Sequence, residues 1–222
     1  MKTSLSNQRE RGLTLVEVLV VIAVLIMLAA VLCPPLAEPR ARRQRIWCVN
    51  NLKQIGLATR VWGSDHGDKY PWSIPGTNGG TMEFVAGPNA WRHFQVMSNE
   101  LSTPKVLLCP ADDDTRTVAA TNFNSLNNSN ISYFVGLDVS EANPNGMLFG
   151  DRNITNGTPI KNGILELTAN QPAGWTDEIH RKVGNITLSD GSVQQITRTG
   201  LRNAVENSGA VTNRLQMPVL GP

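Results

Sequence analysis

The chemically most unusual residue in the sequence is Glu17, a carboxylate inside an otherwise apolar run that covers residues 13–33. An ionisable group within a bilayer costs about 2.5–3.5 kcal/mol and usually has a partner of opposite charge. If this run crosses a membrane, Glu17 therefore needs a cation close by. The chemistry that the pattern indicates is charge pairing in an apolar setting.

A polar leader, residues 1–12, offers a source for that cation. Its basic residues are Lys2, Arg9 and Arg11. The leader ends at Gly12, and cleavage between Gly12 and Leu13 would create an α-amine four residues before Glu17. That amine, from the same subunit or from a neighbour, would neutralise the carboxylate, which would also lie near the positive end of the helix dipole.

The three cysteines are too few for a dense disulfide scaffold or a four-thiolate zinc site. Cys33 ends the apolar run, which leaves Cys48 and Cys109 as the pair in the rest of the chain. In an oxidising compartment this pair could form a disulfide. By restricting the unfolded chain, the disulfide would raise the free energy of unfolding by about 3–4.5 kcal/mol. Two free, buried cysteines are the alternative, which the sequence leaves open because it does not give the distance between their Cα atoms.

Candidate ligands for a cation are scattered aspartates. The weak candidates are Asp112, Asp151 and Asp190. Calcium needs about six to eight oxygen ligands, and no stretch matches an EF-hand loop. His180, His66 and His93 are residues of a type that binds zinc, but their spacing matches no zinc motif, so the sequence gives no support for a site that they share. We therefore expect these aspartates at turns and caps and no bound metal or other cofactor, with calcium as the weaker alternative.

The composition narrows the class of protein. With 222 residues, 41% of them apolar, and a net charge of +2, the chain suits one domain with an appendage. So small a positive excess does not favour nucleic acid as a partner. The sequence has no Gly-x-Ser-x-Gly, P-loop or dinucleotide fingerprint, so no enzymatic activity is predicted.

The apolar run is predicted to be a membrane-spanning helix. As a helix, residues 13–33 would be about 31 Å long, close to the thickness of a bilayer core. A buried helix of a globular protein would show a polar face, and this run shows none. A cleaved secretory signal peptide is the main alternative, but it would be shorter and would end in small residues rather than in Cys33-Pro34-Pro35.

Four regions follow along the chain. They are a leader at 1–12, a transmembrane and assembly helix at 13–33, an amphipathic stalk at 34–63, and a globular head at 64–222. Prolines interrupt the helix beyond the membrane, and it is expected to resume near Arg40 and to end at Gly63. The predicted apolar stripe of the stalk comprises Ile46, Val49, Leu52, Ile55, Thr59 and Trp62.

The head is predicted to be α+β, with the stalk helix packed on a small antiparallel sheet and with loop-rich insertions. The expected strands lie at 106–108, 131–135, 147–149, 186–188 and 193–196, and the expected short helices at 91–101 and 199–207. Asp190-Gly191 is a strong signal for a hairpin turn. The Asn-dense stretch 121–170 is expected to be loop-rich and exposed.

The stretch Arg-Gly-Leu-Thr-Leu-Val-Glu, residues 11–17, resembles the processing motif of the type IV pilin and pseudopilin superfamily. The resemblance implies that a prepilin peptidase cuts after Gly12 and methylates the new amine of Leu13. Glu17 would become the fifth mature residue and would serve assembly with other pilin or pseudopilin subunits. It also implies a single-pass inner-membrane protein with a cytoplasmic leader and a periplasmic head. The charge count on the two sides of the span does not decide this orientation.

The head also resembles a narrower group, the H-X9-DG proteins of planctomycete- and verrucomicrobia-type bacteria, often labelled type II secretion protein G-like. The resemblance rests on the residues around Cys48, on Leu-Cys-Pro-Ala-Asp at 108–112, and on His180 followed after nine residues by Asp190-Gly191. The resemblance assigns no role to His180, Asp190 or Gly191.

The predicted function is that of a structural subunit of a type II secretion-like or type IV pilus-like filament. The alternative is a minor pilin that binds a substrate or a surface through its head. Three tryptophans in one groove would favour this alternative: Trp72, Trp91 and Trp175. A metal-dependent surface enzyme is a third hypothesis, and it would require His180, Asp190 and Asp151 around one open cavity.

Overall fold

The computed structural model describes residues 14–32, 40–112 and 118–220. The leader, the predicted cleavage site at Gly12 and Leu13, Cys33 and the predicted helix interruption at 34–39 lie outside the described residues. The described chain has two compact units, which divide after Pro39. The larger unit confirms the α+β prediction.

The described residues form the following elements. The helices are α1 (Leu15–Leu32), α2 (Arg40–Asp65), α3 (Ala90–Gln95), α4 (Ser98–Leu101) and α5 (Arg198–Asn207). The strands are β1 (Tyr133–Gly136), β2 (Met147–Asp151), β3 (Ile154–Thr155), β4 (Ile164–Leu167), β5 (Gly174–Trp175), β6 (Gly184–Leu188), β7 (Val193–Ile196) and β8 (Asn213–Gln216). Short 3₁₀ turns connect several of them.

The α1 helix starts with a capping box. The Glu17 carboxylate accepts hydrogen bonds from the Thr14 amide at 2.8 Å and from the Thr14 hydroxyl at 2.9 Å. The Thr14 hydroxyl in turn accepts the amide of Glu17 at 3.3 Å. This reciprocal pattern satisfies amide groups that a helix start leaves unpaired. Sequence reasoning assigned Glu17 only to a terminal amine and missed Thr14.

Side chains of α1 are exposed from Leu15 to Ala29. In the part of the chain that the structure describes, no helix has both the length and the apolar character needed to cross a membrane.

The α2 helix buries a stripe along one side, as predicted, but the stripe differs at its start. The buried residues are Cys48, Leu52, Ile55, Gly56, Ala58, Thr59, Trp62 and Gly63. Ile46 was predicted to belong to the stripe and is 42% exposed, and Val49 is only half-buried. The prediction was wrong there because the helix is rotated so that Cys48, which lies between Ile46 and Val49, faces the head.

The main sheet has six strands in the order β4-β8-β1-β2-β6-β7, and its pairs are antiparallel. Alternate residues of β1 enter two different cores: Tyr133 and Val135 pack on the α2 side, and Phe134 packs on the α5 side. In β2 a register shift lies between Met147 and Phe149, and the consecutive residues Leu148 and Phe149 both enter the core on the α2 side, whereas Met147 enters the core on the α5 side. The sheet is therefore covered on both faces.

Close packing holds α2 on the sheet. A Cβ atom at Gly56 would meet Cγ2 of Thr187 in β6 at 3.0 Å. A glycine at this position therefore lets the helix backbone approach the strand more closely than any larger residue would. The same strand carries the residues between His180 and Asp190, so this contact fixes α2 against the H-X9-DG segment.

Two local predictions were wrong. The segment 106–108 is not a strand: Pro104 starts a 3₁₀ turn that runs to Leu107, and Thr103 caps it. Proline at the start of a helical turn is pre-organised for it. The helix near 199 begins earlier than predicted, because Thr197 and not Thr199 accepts a backbone amide, that of Gly200.

The prediction that 121–170 is exposed is correct for part of the stretch only. Four asparagines of this stretch are buried: Asn128, Asn130, Asn153 and Asn156. Their side chains bind backbone groups; for example, Asn130 donates to the carbonyl of Val118 at 2.7 Å. Buried loops need such partners because unpaired carbonyl groups are costly. In the loops of this stretch, asparagine side chains supply the hydrogen bonds that neighbouring strands supply to backbone groups within a sheet.

Candidate functional site

Four side chains that are distant in the sequence meet beneath α2, and we call them the Cys–His–Asp cluster: Cys48, Cys109, Asp151 and His180. Their ligand-type atoms all lie within 4.8 Å of one another, and all four residues are buried. Cys48 comes from α2 and Asp151 ends β2. Cys109 follows the 3₁₀ turn at 104–107, and His180 precedes β6.

Cys48 and Cys109 form a disulfide, with their Cα atoms 5.1 Å apart. The amide of Cys109 donates to the hydroxyl of Ser132, next to β1, at 2.9 Å. The bridge therefore joins α2 to a loop that is itself fixed to the sheet. Of the two possibilities left open by the sequence, the structure has the bridged one.

One nitrogen of the His180 imidazole, Nε2, faces two other members of the cluster. It lies 3.4 Å from Sγ of Cys109 and 3.6 Å from Oδ2 of Asp151. The sulfur and the carboxylate therefore converge on one point rather than on the two ends of the ring.

The carboxylate of Asp151 is fixed on one side only. Its Oδ2 accepts the amide of Asn185 at 2.8 Å and the side-chain amide of Asn185 at 2.9 Å. Its Oδ1 is buried and has no hydrogen-bond partner. A buried acceptor without a partner costs about 1–3 kcal/mol, so this oxygen is a position where a further ligand would be favourable.

Burial dominates the ionisation of this pair. Loss of solvent raises the pKa of Asp151 to about 7, although hydrogen bonds from Asn185 act in the opposite direction. Burial lowers the pKa of His180 to about 4, and the charge of Arg45 lowers it further. Both changes favour the uncharged forms, so the close approach of the two groups is not a strong ion pair at neutral pH.

The loop that carries His180 is held in an unusual backbone conformation. His180, Arg181 and Lys182 have φ angles of 57°, 53° and 63°. Positive φ angles are uncommon outside glycine and asparagine, and consecutive ones are costly. The carbonyl of His180 accepts a hydrogen bond from Arg45 of α2 at 3.1 Å, which ties the loop to the helix.

Asn153 fixes the same loop from the other side. Its side-chain amide donates to the carbonyls of Thr176, Ile179 and Val183 at 3.0, 2.7 and 3.3 Å. Sequence reasoning missed this role because Asn153 is one of many asparagines in the chain. The available signal was its position just after a strand, where a buried amide can organise a loop.

The two ends of the H-X9-DG segment serve different purposes. Asp190 is exposed in the hairpin between β6 and β7, where its Oδ1 accepts the amide of Ser192 at 2.8 Å. Gly191 has a φ angle of 85°, as such a turn requires. Arg60 of α2 donates to the carbonyl of Asp190 at 3.1 Å. Arg45 and Arg60 lie about 22 Å apart along the helix axis, and they bind the two ends of the segment.

Of the three predicted cation candidates, only Asp151 belongs to the group of metal-ligating side chains found among the described residues. The carboxylate of Asp112 instead accepts two hydrogen bonds from Arg152, at 2.8 and 2.7 Å. The carboxylate of Asp190 accepts the amide of Ser192 within the hairpin turn. The arrangement required for the enzyme hypothesis, with His180, Asp190 and Asp151 around one cavity, is therefore not what the structure shows.

The tryptophans of the binding-module alternative do not share a groove. Trp72 is buried in the core beneath α2, and Trp91 is partly buried against the same core, whereas Trp175 is buried in the core on the α5 side. Trp175 contributes to the wall of a cavity of about 400 Å³ together with Lys182 and Arg198. A second cavity, of about 300 Å³, is lined by Gln44, Arg45 and His180 and opens next to the Cys–His–Asp cluster.

Comparison with known proteins gives one match. Residues 7–32 match the family model described as the prokaryotic N-terminal methylation motif. This match supports the type IV pilin-like and pseudopilin class for the chain, whose N-terminal motif is typical of substrates of prepilin peptidases. No curated protein and no solved structure matches the chain.

Proposed function

We propose that this protein is a non-enzymatic structural subunit of a type II secretion-like or type IV pilus-like filament. A prepilin peptidase would cut between Gly12 and Leu13 and methylate the new terminus. The observation that carries the proposal is the methylation motif at 7–32, which includes Glu17 and overlaps the apolar helix α1.

Before processing, the subunit would be held in the bacterial inner membrane, with its leader in the cytoplasm and its head in the periplasm. After cleavage, apolar helices of neighbouring subunits would pack side by side and remove the exposed residues of α1 from lipid. Glu17 would neutralise the amine of Leu13, most naturally that of the adjacent subunit. A wrong register would leave this charge unpaired and would therefore be penalised.

The capping box supports this role for Glu17. Its carboxylate already accepts two hydrogen bonds from Thr14, the residue next to the predicted new terminus. The oxygen that binds Thr14 is thus held at the helix start, where the positive end of the helix dipole also favours an anion. Cleavage would add a full positive charge at the residue before Thr14.

Intact mass and N-terminal peptide analysis of the membrane-extracted protein test the processing step. We expect a chain that begins at Leu13 and carries a methylated amine. A chain that retains Met1, or one cut after residue 30, would contradict the proposal.

The assembly step is tested with Glu17→Ala and the nearly isosteric Glu17→Gln. Both variants should insert into the membrane, because they remove a charge from an apolar helix. Both should fail to enter filaments, because the terminal amine loses its partner. Glu17→Asp is the matched control that keeps the charge and should retain part of the incorporation. Incorporation of Glu17→Gln at the wild-type level would remove the charge-pairing argument.

A further inference from the structure

We propose that the Cys–His–Asp cluster binds one zinc ion when the Cys48–Cys109 disulfide is reduced. The ligands are the two thiolates, Nε2 of His180 and a carboxylate oxygen of Asp151. The inference concerns the head alone and does not depend on the proposed function in a filament.

Two distances in the cluster match those between ligands of a tetrahedral zinc ion. Zn–S bonds of about 2.3 Å and Zn–N bonds of about 2.0–2.1 Å place sulfur and nitrogen ligands about 3.5 Å apart. Cys109 Sγ and His180 Nε2 are 3.4 Å apart, and His180 Nε2 and Asp151 Oδ2 are 3.6 Å apart. After reduction of the disulfide, the two sulfurs would have to separate to about 3.8 Å, and rotation of the cysteine side chains is the movement that we expect to provide this separation.

The side chains of the cluster are arranged as ligands of one ion are, and not as the members of a catalytic relay are. In a relay, the acid binds one ring nitrogen of the histidine and the nucleophile faces the other. Here Asp151 and Cys109 both face Nε2 of His180. Several donors that point to one centre are what a metal ion requires.

The donor types select zinc over calcium. Calcium takes about six to eight oxygen ligands, and this cluster supplies one carboxylate beside two sulfurs and an imidazole. Zinc accepts sulfur, nitrogen and oxygen donors in fourfold coordination. Asp151 offers two oxygens to the ion: Oδ2 lies 3.6 Å from Nε2 of His180, and Oδ1 is buried without a hydrogen-bond partner. Asn185, which donates to Oδ2, is an outer partner of the kind that orients metal ligands.

The surrounding charge also suits a bound ion. Two thiolates and a carboxylate around Zn²⁺ leave one excess negative charge, which is costly in a buried site unless it is balanced. Arg45 lies next to the cluster, since it donates to the carbonyl of His180 at 3.1 Å. Its guanidinium supplies the balancing positive charge. The cavity of about 300 Å³ is lined by Arg45 and His180, so it borders the cluster on the side of the histidine.

The disulfide and the zinc site exclude each other because they use the same sulfur atoms. A phosphine with one water molecule reduces the disulfide to two thiols and becomes a phosphine oxide. Zinc binding then releases one proton from each thiol. In the reverse direction, a low-molecular-weight disulfide takes two electrons from the thiolates, is itself reduced to two thiols, and the zinc ion leaves.

The test uses the full chain in detergent micelles, in a Cys33→Ser background so that Cys48 and Cys109 supply the thiols. One sample stays oxidised, and the other is reduced with a phosphine under metal-free conditions. After incubation with zinc chloride and gel filtration, we expect one zinc ion per reduced chain and none per oxidised chain. With cobalt chloride, the reduced chain should show thiolate-to-cobalt charge transfer and the intense visible bands of tetrahedral Co²⁺.

His180→Gln and Asp151→Asn should each weaken zinc binding by the reduced chain about tenfold or more. The matched controls are His66→Gln and Asp190→Asn, which change the same residue types outside the cluster and should bind as the parent does. The comparison of oxidised and reduced parent chains needs no change within the cluster, so a folding defect of a cluster variant does not affect it. Absence of zinc from the reduced parent, equal binding in both redox states, or a cobalt spectrum without thiolate bands would overturn the proposal.

Discussion

The side-chain amide of Asn153 donates to the carbonyl oxygen of Ile179 at 2.7 Å, and this bond places the next residue, His180, against Cys109 and Asp151. The loop has three consecutive residues with positive φ angles. Such a conformation persists only where its surroundings determine it. Asn153 is the buried group that does so from the β3 side, and Arg45 does so from α2.

Asn153→Ala should destabilise the loop 176–183 more than the rest of the head. The substitution removes three hydrogen bonds to loop carbonyls, of which the bond to Ile179 is buried and the carbonyl of Thr176 keeps the amide of Lys182. An unpaired buried acceptor costs about 1–3 kcal/mol. Hydrogen exchange should accelerate in 176–183. Asn156→Ala is the matched control, because Asn156 is also buried but donates to Glu166. Equal acceleration of 176–183 in both variants would contradict the role of Asn153.

Removal of the disulfide should lower the free energy of unfolding in metal-free buffer. The cysteines are 61 residues apart, and the loop-entropy relation gives about 4 kcal/mol for such a loop. Chemical denaturation of oxidised wild type and of Cys48→Ala with Cys109→Ala measures the difference. The single variant Cys48→Ala should lose nearly as much as the double variant, because either change removes the bridge. A loss below about 1 kcal/mol in the double variant would show that the bridge does not restrain the unfolded chain as this relation assumes.

Acid should destabilise the head through His93. Its Nε2 donates to Oε1 of Gln216 and its Nδ1 lies against the hydroxyl of Thr81, both at 2.6 Å, so the ring is buried with a partner at each nitrogen. Burial lowers the pKa of His93 to about 4 from 6.5. The unfolded state therefore takes up a proton first, and stability that is present above pH 6.5 is lost as the pH falls towards 4.

The expected loss from His93 is about 3 kcal/mol between pH 7 and pH 4. It is measured as the difference in pH dependence of unfolding between wild type and His93→Gln, which isolates this histidine from the others. The ring of His93 should also titrate near pH 4 in an NMR experiment on the folded chain. A midpoint near 6.5 would show that burial does not control this group.

Gly56→Val should separate α2 from β6. A Cβ atom at this position already meets Cγ2 of Thr187 at 3.0 Å, so a branched side chain overpacks the interface at a cost of about 1–3 kcal/mol. Thr187→Ala removes the atom in contact and should restore part of the stability in the double variant. Thermal unfolding of the four chains in this cycle measures the coupling. Strict additivity would mean that the two residues do not share the contact.

Features that depend on neighbours in the chain could be predicted from the sequence. The apolar run with Glu17 and the basic leader indicated the methylation motif that residues 7–32 match. The apolar spacing of α2 predicted most of its buried stripe, and Asp190-Gly191 predicted the hairpin of β6 and β7. Periodicity, turn chemistry and charge placement act over a few residues, so the sequence expresses them directly.

The tertiary structure alone decided the features that join distant segments. Strand β8 reads Asn-Arg-Leu-Gln, which has no apolar alternation, and it is a strand because β4 and β1 pair with its two edges. The meeting of Cys48, Cys109, Asp151 and His180 depends on the register of β2 against β6 and on the rotation of α2. The amide of Asn153 then sets the direction of His180. Such relationships follow from packing across the whole core, and no local pattern of residue types encodes the distances between them.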